Sequence, residues 1–187
     1  MKTPMSRFQI HDDETAPADS LPVVKGAQSG GGQLPNFLGV LAGSPAAIKA
    51  YARFRSELRR GVLGRRTLER IALAVAAHYE SRPGLQLHGL AARQAGLGVD
   101  EVSLAQRWTS SEPREAALLR YLQPLLERRG DAPVHLHEEA REAGWSDQEI
   151  LEAIAHVSLE SFTALINVAG EVPVDGSVEQ TRQLRAA

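Results

Sequence analysis

The 187-residue sequence contains no cysteine. Disulfide bonds, thiolate metal sites and every mechanism that depends on a cysteine nucleophile or a redox-active cysteine pair are therefore excluded. This absence limits the possible chemistry more than any motif that is present.

Long apolar runs are also missing. No stretch reaches the roughly 18 consecutive apolar residues that a membrane-spanning helix requires. The first twenty residues, MKTPMSRFQIHDDETAPADS, lack the apolar segment of a signal peptide. The sequence therefore predicts a cytoplasmic protein with no membrane partner.

The chain has no strong charge of one sign: its net charge is −2, with 43% hydrophobic and 24% charged residues. This composition is typical of a soluble globular domain. Seven arginines lie between Arg53 and Arg70, but they alternate with Glu57 and Glu69 and have no aromatic residues among them. Such a pattern does not favour nucleic-acid binding.

Six histidines are present, but they form no recognisable metal motif. His135 and His137 are two residues apart, a spacing that places their side chains on different faces of a helix. We therefore expect no metal site and no cofactor.

Apolar residues recur with helical periodicity and never with the period of a strand, which predicts an all-α fold. Capping residues, prolines and glycines divide the pattern into about seven helices. They span approximately residues 45–60, 64–79, 83–95, 100–108, 111–130, 133–144 and 146–170. Residues 1–34 show no periodicity and are interpreted as an irregular arm, residues 35–173 as the helical domain, and residues 174–187 as a loosely attached tail.

One internal repeat is visible. The segment ARQAGL at 92–97 recurs 48 residues later as AREAGW at 140–145, and each copy is followed by an acidic and a β-branched residue. The repeat indicates two similar helix–turn–helix units.

Residues 67–96, TLERIALAVAAHYESRPGLQLHGLAARQAG, contain the candidate functional residues. Two apolar helices meet there at a polar break, and each helix carries one ionisable residue, Glu69 or His88. Burial of an ionisable group is costly unless the group is paired. Glu69 and His88 are therefore either a structural ion pair or the centre of an active site.

The spacing of Glu69, Ser81, Gly84 and His88 resembles the Glu, Cys-x-x-Cys and His motif of the AhpD-like alkylhydroperoxidases within the carboxymuconolactone decarboxylase family. Other segments are similar to that family as well: QLPNF at 33–37, SPAA at 44–47, and residues 145–175. The resemblance implies an all-α fold, assembly into dimers, trimers or hexamers, and a glutamate and a histidine that relay protons to two redox cysteines.

This chain departs from the motif at both cysteine positions, which are Ser81 and Gly84. A serine hydroxyl cannot replace a thiolate, because it is far less acidic and cannot pass through sulfenic acid and disulfide states. Cysteine-dependent peroxidase activity is therefore predicted to be absent. Three interpretations remain. The first is a thiol-independent acid–base enzyme of decarboxylase or isomerase type acting on a small organic acid, and the second is a degenerate family member that binds ligands or assembles. The third is a residual peroxidase, an oxidoreductase for which the residues present supply no chemistry.

For the enzyme interpretation, Glu69, His88 and Ser81 are the catalytic candidates, and Gly84, His78 and Tyr79 are the candidates for substrate binding. Rise along two antiparallel helices separates Glu69 from His88 too far for an easy direct hydrogen bond. We therefore expect a bridging water, or His78 or Tyr79, in a pocket beside Ser81. Burial lowers the pKa of a histidine and a nearby carboxylate raises it, so His88 is predicted to titrate near neutral pH.

Long apolar stripes on the last helices exceed what one small domain can cover, which predicts a homo-oligomer.

Overall fold

A computed structural model describes residues 6–29 and 31–176, and α-helices with connecting turns make up these ranges without a strand. Nine α-helices lie in the described residues: α1 Leu21–Gln28, α2 Asn36–Leu41, α3 Pro45–Leu58, α4 Arg65–His78, α5 Arg82–Gln94, α6 Val99–Ala105, α7 Pro113–Glu127, α8 Val134–Glu142 and α9 Asp147–Ala169. The all-α prediction is confirmed, with two more helices than the pattern indicated. No described helix is long and apolar enough to cross a bilayer.

Two of the helices, α3 and α9, begin at residues whose side chains satisfy free N–H groups of the first turn. Ser44 accepts a hydrogen bond from the Ala47 N–H at the start of α3. Ser146 and Glu149 form a capping box at the start of α9. Both caps supply acceptors that the first turn of a helix lacks, which is why these boundaries could be predicted.

The arm predicted to be irregular contains regular structure, which corrects that interpretation. Residues 18–20 form a 3-10 turn and α1 follows it. Val24 of α1 is completely buried in a cluster with Ile48 of α3, and the buried Ser20 hydroxyl donates to the Ala42 carbonyl at 2.7 Å. Packing of one apolar side stabilises this helix, whose eight residues are too few for helical periodicity to be evident.

The described part of the C-terminal segment, residues 173–176, is held against the helical domain by hydrogen bonds. The Asn36 N–H donates to Asp175 Oδ1 at 2.8 Å, and the Asn36 side-chain amide donates to the Pro173 carbonyl at 3.0 Å. The remainder of the predicted tail, residues 177–187, lies outside the described residues, as do residues 1–5 and residue 30. The division at residues 34 and 173 stays a prediction.

The centre of the domain is α4, which packs most extensively against α5 and the 23-residue α9. Its residues 71–76 are all buried, and they contribute to two of the hydrophobic clusters. A helix that is apolar on every side must be enclosed by other helices. The polar side chains of its central turns, such as Glu69 and Arg70, therefore point into the protein or into a pocket.

The sequence repeat corresponds to a repeated turn. Gly96 and Gly144 have φ values of +86° and +94°, and they end α5 and α8 in the left-handed conformation that favours glycine. After each glycine, the next N–H bonds back to a fully buried alanine carbonyl, Leu97 to Ala92 at 2.9 Å and Trp145 to Ala140 at 3.1 Å. The predicted helix–turn–helix repeat is confirmed in the matching geometry of these two turns.

Candidate functional site

A small pocket of about 80 Å³ lies where α3, α4, α5 and α9 meet. Its wall is unusually rich in charge for its size. It is lined by the charged or polar residues Arg55, Arg59, Glu69, His88, His156 and Glu160, and by the apolar residues Leu58, Leu68, Ala72 and Leu159.

Within the pocket, His88 lies between two carboxylates. Its Nδ1 is 3.0 Å from Glu69 Oε2, and its Nε2 is 3.2 Å from Glu160 Oε2. The three side chains are only 12–15% exposed. The prediction that Glu69 and His88 are too far apart for a direct bond is therefore wrong. It considered only the rise along the helix axes and omitted the length of the two side chains.

The two carboxylates determine the charge of His88. Each ring nitrogen faces an acceptor, so the ring is held with a proton on both nitrogens. Burial alone would lower the pKa of His88, but Glu160 and Glu69 outweigh burial and raise the pKa to about 9. The expectation that His88 titrates near neutral pH is corrected: it is an imidazolium there.

Glu160 of α9 completes the ion pair and was not predicted. Burial would raise the pKa of its carboxyl, but the charge of His88 and the hydrogen bond to His88 outweigh burial and lower it. Glu160 is therefore ionised beside its cationic neighbour. It is 72 residues from His88 in the chain, so only the packing of α9 onto α5 brings them together.

The second histidine of the pocket, His156, was also missed. It precedes Glu160 by one helical turn, and its Nε2 is 3.2 Å from the Leu68 carbonyl oxygen. Its Nδ1 has no hydrogen-bond partner among the described residues. Burial lowers the pKa of His156, so the ring is neutral beside the imidazolium of His88.

Arg55 and Arg59 of α3 are exposed at the edge of the pocket, one helical turn apart. Repulsion from Arg55, followed by burial, lowers the pKa of Arg59. Neither guanidinium forms an ion pair within the described part of the chain. Glu160 and Glu69 attract them only at longer range. These two arginines belong to the run for which the sequence did not favour nucleic-acid binding.

Ser81 and Gly84 do not line the pocket. Ser81 is 1% exposed, and its hydroxyl accepts the Gly84 N–H at 3.4 Å as the N-cap of α5. The side-chain amide of the buried Asn167 donates to the same hydroxyl at 3.4 Å. A Cβ at Gly84 would lie 3.1 Å from the Ser81 hydroxyl, so these two positions are close to each other. The hydroxyl is thus engaged in packing and capping.

The two other candidates for substrate binding also lie outside the lining of the pocket. His78 is exposed at the end of α4, and its ring packs edge-on against that of Tyr79 at a centroid distance of 5.1 Å. Tyr79 packs against the main core cluster. Neither residue bridges Glu69 and His88, which are in direct contact.

A second ionic network lies on another side of α4. The buried Arg70 contacts Glu101 at 2.8 Å, Glu112 at 2.5 Å and Glu115 at 3.7 Å. Thr67 donates to Glu115 at 2.8 Å, and two serines, Ser110 and Ser111, donate to Glu101. The network lies outside the lining of the pocket, and no periodicity argument identified it.

No protein-family model matches the chain, and no curated protein matches it in sequence. Solved structures do match it. An uncharacterised peroxidase-related protein from Silicibacter sp. TM1040 has a TM-score of 0.80 and 18% identity over 94% of this chain and 96% of its own. An AhpD-core peroxidase-related protein from Ralstonia eutropha JMP134 has a TM-score of 0.81 and 18% identity over 93% and 94%. The chain has the AhpD-like fold.

A third structure with this architecture is a cysteine-to-alanine variant of the debrominase Bmp8 in complex with 2,3,4-tribromopyrrole. It has a TM-score of 0.72 and 16% identity, and the match covers 98% of both chains. At these identities the likeness concerns the fold. The predicted AhpD-like fold is thereby confirmed, and the activity has to be argued from the pocket.

Proposed function

We propose that this protein is a thiol-independent acid–base enzyme of decarboxylase or isomerase type that acts on a small organic acid. The observation that carries the proposal is the trio Glu69–His88–Glu160 in a pocket edged by two arginines that form no ion pair with any described residue. Perturbed titratable groups that converge in a cleft are typical of active sites.

The arginines supply the binding part of the proposal. Two like charges one helical turn apart repel each other, and an anion placed between them would relieve that repulsion. A carboxylate fits the planar donor geometry of guanidinium groups. A ligand bound there would extend its remaining atoms toward His88.

The trio supplies the proton transfer. In a decarboxylation, the electron pair of the breaking C–C bond moves to carbon, carbon dioxide leaves, and His88 donates a proton to that carbon. In an isomerisation, a proton passes from one carbon of the ligand to a carboxylate of the trio, the electron pair stays on the ligand, and His88 delivers a proton to another carbon. Glu69 and Glu160 stabilise the His88 imidazolium before the transfer. Afterwards they pass a proton from solvent to the neutral imidazole, which restores the cation.

Cysteine chemistry has no part in this mechanism. The chain should therefore not reduce cumene hydroperoxide at the expense of dihydrolipoamide above a buffer blank. Metal-free protein that turns over this pair would contradict the proposal. The fold neighbour that binds a tribromopyrrole is a debrominase, which supports the idea that this architecture accommodates small organic substrates.

A second candidate function is ligand binding without turnover. It is favoured by the fact that both ring nitrogens of His88 already face carboxylates, an arrangement that a purely structural cation would also have. The two functions differ in one respect: the enzyme must exchange protons with its bound acid.

Isotope exchange tests this difference. But-3-enoate and 2-oxobutyrate are incubated with the protein in deuterium oxide, and incorporation at carbon is followed by NMR. We expect exchange above the blank that falls on the order of 100-fold in the His88→Gln and Glu69→Gln variants. The exposed His135→Gln and Glu138→Gln variants are matched controls. Equal rates in wild type and His88→Gln, with the acids still bound, would favour the binding function.

We further propose that the protein is a homo-oligomer, as the resemblance implied. Leu87 and Leu90 on α5 and Leu165 and Val168 on α9 are about half exposed, between 47% and 53%. Exposed apolar residues of neighbouring helices favour association. Light scattering after gel filtration at micromolar concentration should show a dimer, trimer or hexamer, and a monomer would contradict the proposal.

A further inference from the structure

We infer that Glu152 of α9 is a positioning residue of the proposed site. Its carboxylate holds the end of α3 against α9 and so fixes where Arg55 and Arg59 present their guanidinium groups to a bound acid. Glu152 lies outside the lining of the pocket, so it acts through the arginines and not on the ligand. The inference rests on the proposed function, because it requires that the arginines bind the acid.

Glu152 accepts hydrogen bonds from two consecutive backbone N–H groups of the turn between α3 and α4. Its Oε2 is 2.7 Å from the Val62 nitrogen and 3.4 Å from the Leu63 nitrogen. Hydrogen bonds to an ionised acceptor are shorter and stronger than bonds between neutral groups. These two bonds, the Glu152 clamp, join the turn to a helix that follows it by about 90 residues in the chain.

The residue that precedes these N–H groups is a glycine, and the approach of the carboxylate requires it. A Cβ at Gly61 would lie 2.7 Å from Glu152 Cδ and 3.0 Å from Oε1. Gly61 does not have a positive φ, so its own backbone conformation does not demand glycine. The missing side chain at Gly61 is therefore explained by the space that the clamp occupies.

Little else holds this end of α3. Among residues 49–64, all of which the structure describes, only Leu63 is buried. Val62 is 54% exposed, so the turn is held there by its backbone and not by its side chain. The half of α3 that carries Arg55 and Arg59 therefore contributes little to the core. A segment with few buried apolar contacts opens easily unless polar contacts hold it, and the clamp supplies such contacts.

The clamp lies on the helix that also holds His88. Glu160 follows Glu152 by two helical turns of α9, and its Oε2 is 3.2 Å from His88 Nε2. One helix thus holds the imidazolium through one carboxylate and the end of α3 through another. This arrangement sets the distance that a ligand must span between the arginines and the proton donor. An error of about 1 Å in such a distance is enough to impair a reaction severely.

A double-mutant cycle tests the inference, with but-3-enoate as the ligand and its binding followed by NMR titration. We expect Arg55→Gln combined with Arg59→Gln to weaken binding on the order of tenfold. Glu152→Ala should weaken binding about three- to tenfold, because the arginines are misplaced. Added to the arginine substitutions, Glu152→Ala should cost less than a further twofold or so, since the groups that it positions are already gone.

Three more variants serve as controls. Glu152→Gln keeps an oxygen that can accept the same N–H groups, so its affinity should stay within about twofold of wild type. Gly61→Ala places a Cβ against the carboxylate and should reproduce the weaker binding of Glu152→Ala. Glu138→Ala, at an exposed position of α8, should leave the affinity unchanged.

Amide hydrogen exchange tests the structural step without any ligand. The Arg59 N–H bonds to the Arg55 carbonyl at 3.1 Å in the last turn of α3. In Glu152→Ala, and in the milder Gly61→Ala, we expect this amide to exchange at least about fivefold faster. The Ile48 amide, near the start of the same helix, should keep its rate.

The failure of the inference can be distinguished from the failure of the proposed function. But-3-enoate that does not bind, or that binds equally well without the arginines, overturns the proposed function and the inference with it. Binding that depends on the arginines but not on Glu152, or an undiminished further loss from Glu152→Ala in the arginine variant, overturns only the inference. Unchanged exchange at Arg59 in both variants also overturns it, because the clamp then does not hold α3.

Discussion

The pocket and the Arg70 network contain similar residues and differ in how completely their charges are paired. Each includes one of two consecutive residues of α4, Glu69 in the pocket and Arg70 in the network. Consecutive residues are about 100° apart around a helix, so these two side chains face different parts of the protein. Arg70 contacts three carboxylates, and serine and threonine hydroxyls donate to two of these. In the pocket, two arginines form no close ion pair and one imidazole nitrogen has no hydrogen bond in the described chain. In the network, Glu115 Oε2 lacks a hydrogen bond but lies 3.7 Å from the cationic Arg70.

The difference shows how a structural ionic cluster can be distinguished from a binding site. A closed cluster satisfies its own groups and leaves little for a ligand to gain. Hydrogen bonds from Ser110, Ser111 and Arg70 outweigh burial and lower the pKa of Glu101 to about 2, so Glu101 stays ionised at physiological pH. Burial acts in the opposite direction on Glu115 and raises its pKa. At the edge of the pocket, Arg55 and Arg59 form no close ion pair with the residues that the structure describes, while Glu69 and Glu160 already pair with His88.

Removing Arg70 should break the closed network and cause the largest loss of stability. Arg70→Met leaves the buried Glu101 and Glu115 without their cation, so we expect a loss of about 3–5 kcal/mol in the free energy of unfolding, measured with urea. Arg66→Met is the matched control, because Arg66 pairs with Glu112 at an exposed site and should cost about 1 kcal/mol or less. Equal losses in the two variants would show that the buried Arg70 network stabilises the fold no more than an exposed ion pair does.

The pH dependence of stability should come from the pocket. His88 has a folded-state pKa of about 9, above the value of about 6.5 for an unfolded histidine. Its contribution is fully present below pH 6.5 and is lost as the pH rises through 9. At about 1.4 kcal/mol per pKa unit, the loss is at most about 3 kcal/mol.

His156 acts in the opposite direction, because its pKa is lowered on folding. The unfolded chain binds a proton that the folded chain does not, so stability decreases as the pH falls below about 6.5. Urea unfolding between pH 5 and pH 9.5 should therefore give a maximum near neutral pH. His88→Gln should reduce the fall in the free energy of unfolding above neutral pH. An unchanged fall in that variant would show that His88 is not its source.

A smaller effect is expected from Glu69→Gln, which keeps the shape of the side chain and removes one of the two charges beside His88. The protonation midpoint of His88, followed by NMR, should fall by about one pKa unit or more. Glu138→Gln on the exposed side of α8 should leave the midpoint unchanged. If the midpoint is the same in both variants, Glu69 and His88 are uncoupled and have separate structural roles.

Much of the fold could be predicted from the sequence because its signals are local. Proline at the start of α3, the capping box at Ser146 and the glycines that end α5 and α8 each act within a few residues. In contrast, α1 is an eight-residue helix whose stability depends on burying Val24 against α3. No local pattern indicates such packing.

Half of the site could not be predicted from local sequence patterns either. Glu69 and His88 attracted attention because they are ionisable residues in apolar helices. Glu160 and His156 lie on α9, and the pocket exists only because α9 packs across α4 and α5. Their spacing of one helical turn was a weak signal, since it also fits an ordinary pair on a helix surface. Arg55 belongs to a run of arginines that was considered only as a nucleic-acid-binding patch and rejected as one.

The central claim is that the incompletely paired pocket binds a small acid and moves protons, whereas the closed network only stabilises the fold. Deuterium incorporation into but-3-enoate at pH 7.5 tests it most directly in wild type, His88→Gln, and the Arg55→Gln/Arg59→Gln double variant. We expect exchange in wild type, loss on the order of 100-fold in His88→Gln, and a raised half-saturating concentration in the arginine variant. Equal exchange in all three proteins, or exchange no faster than in buffer, would contradict it.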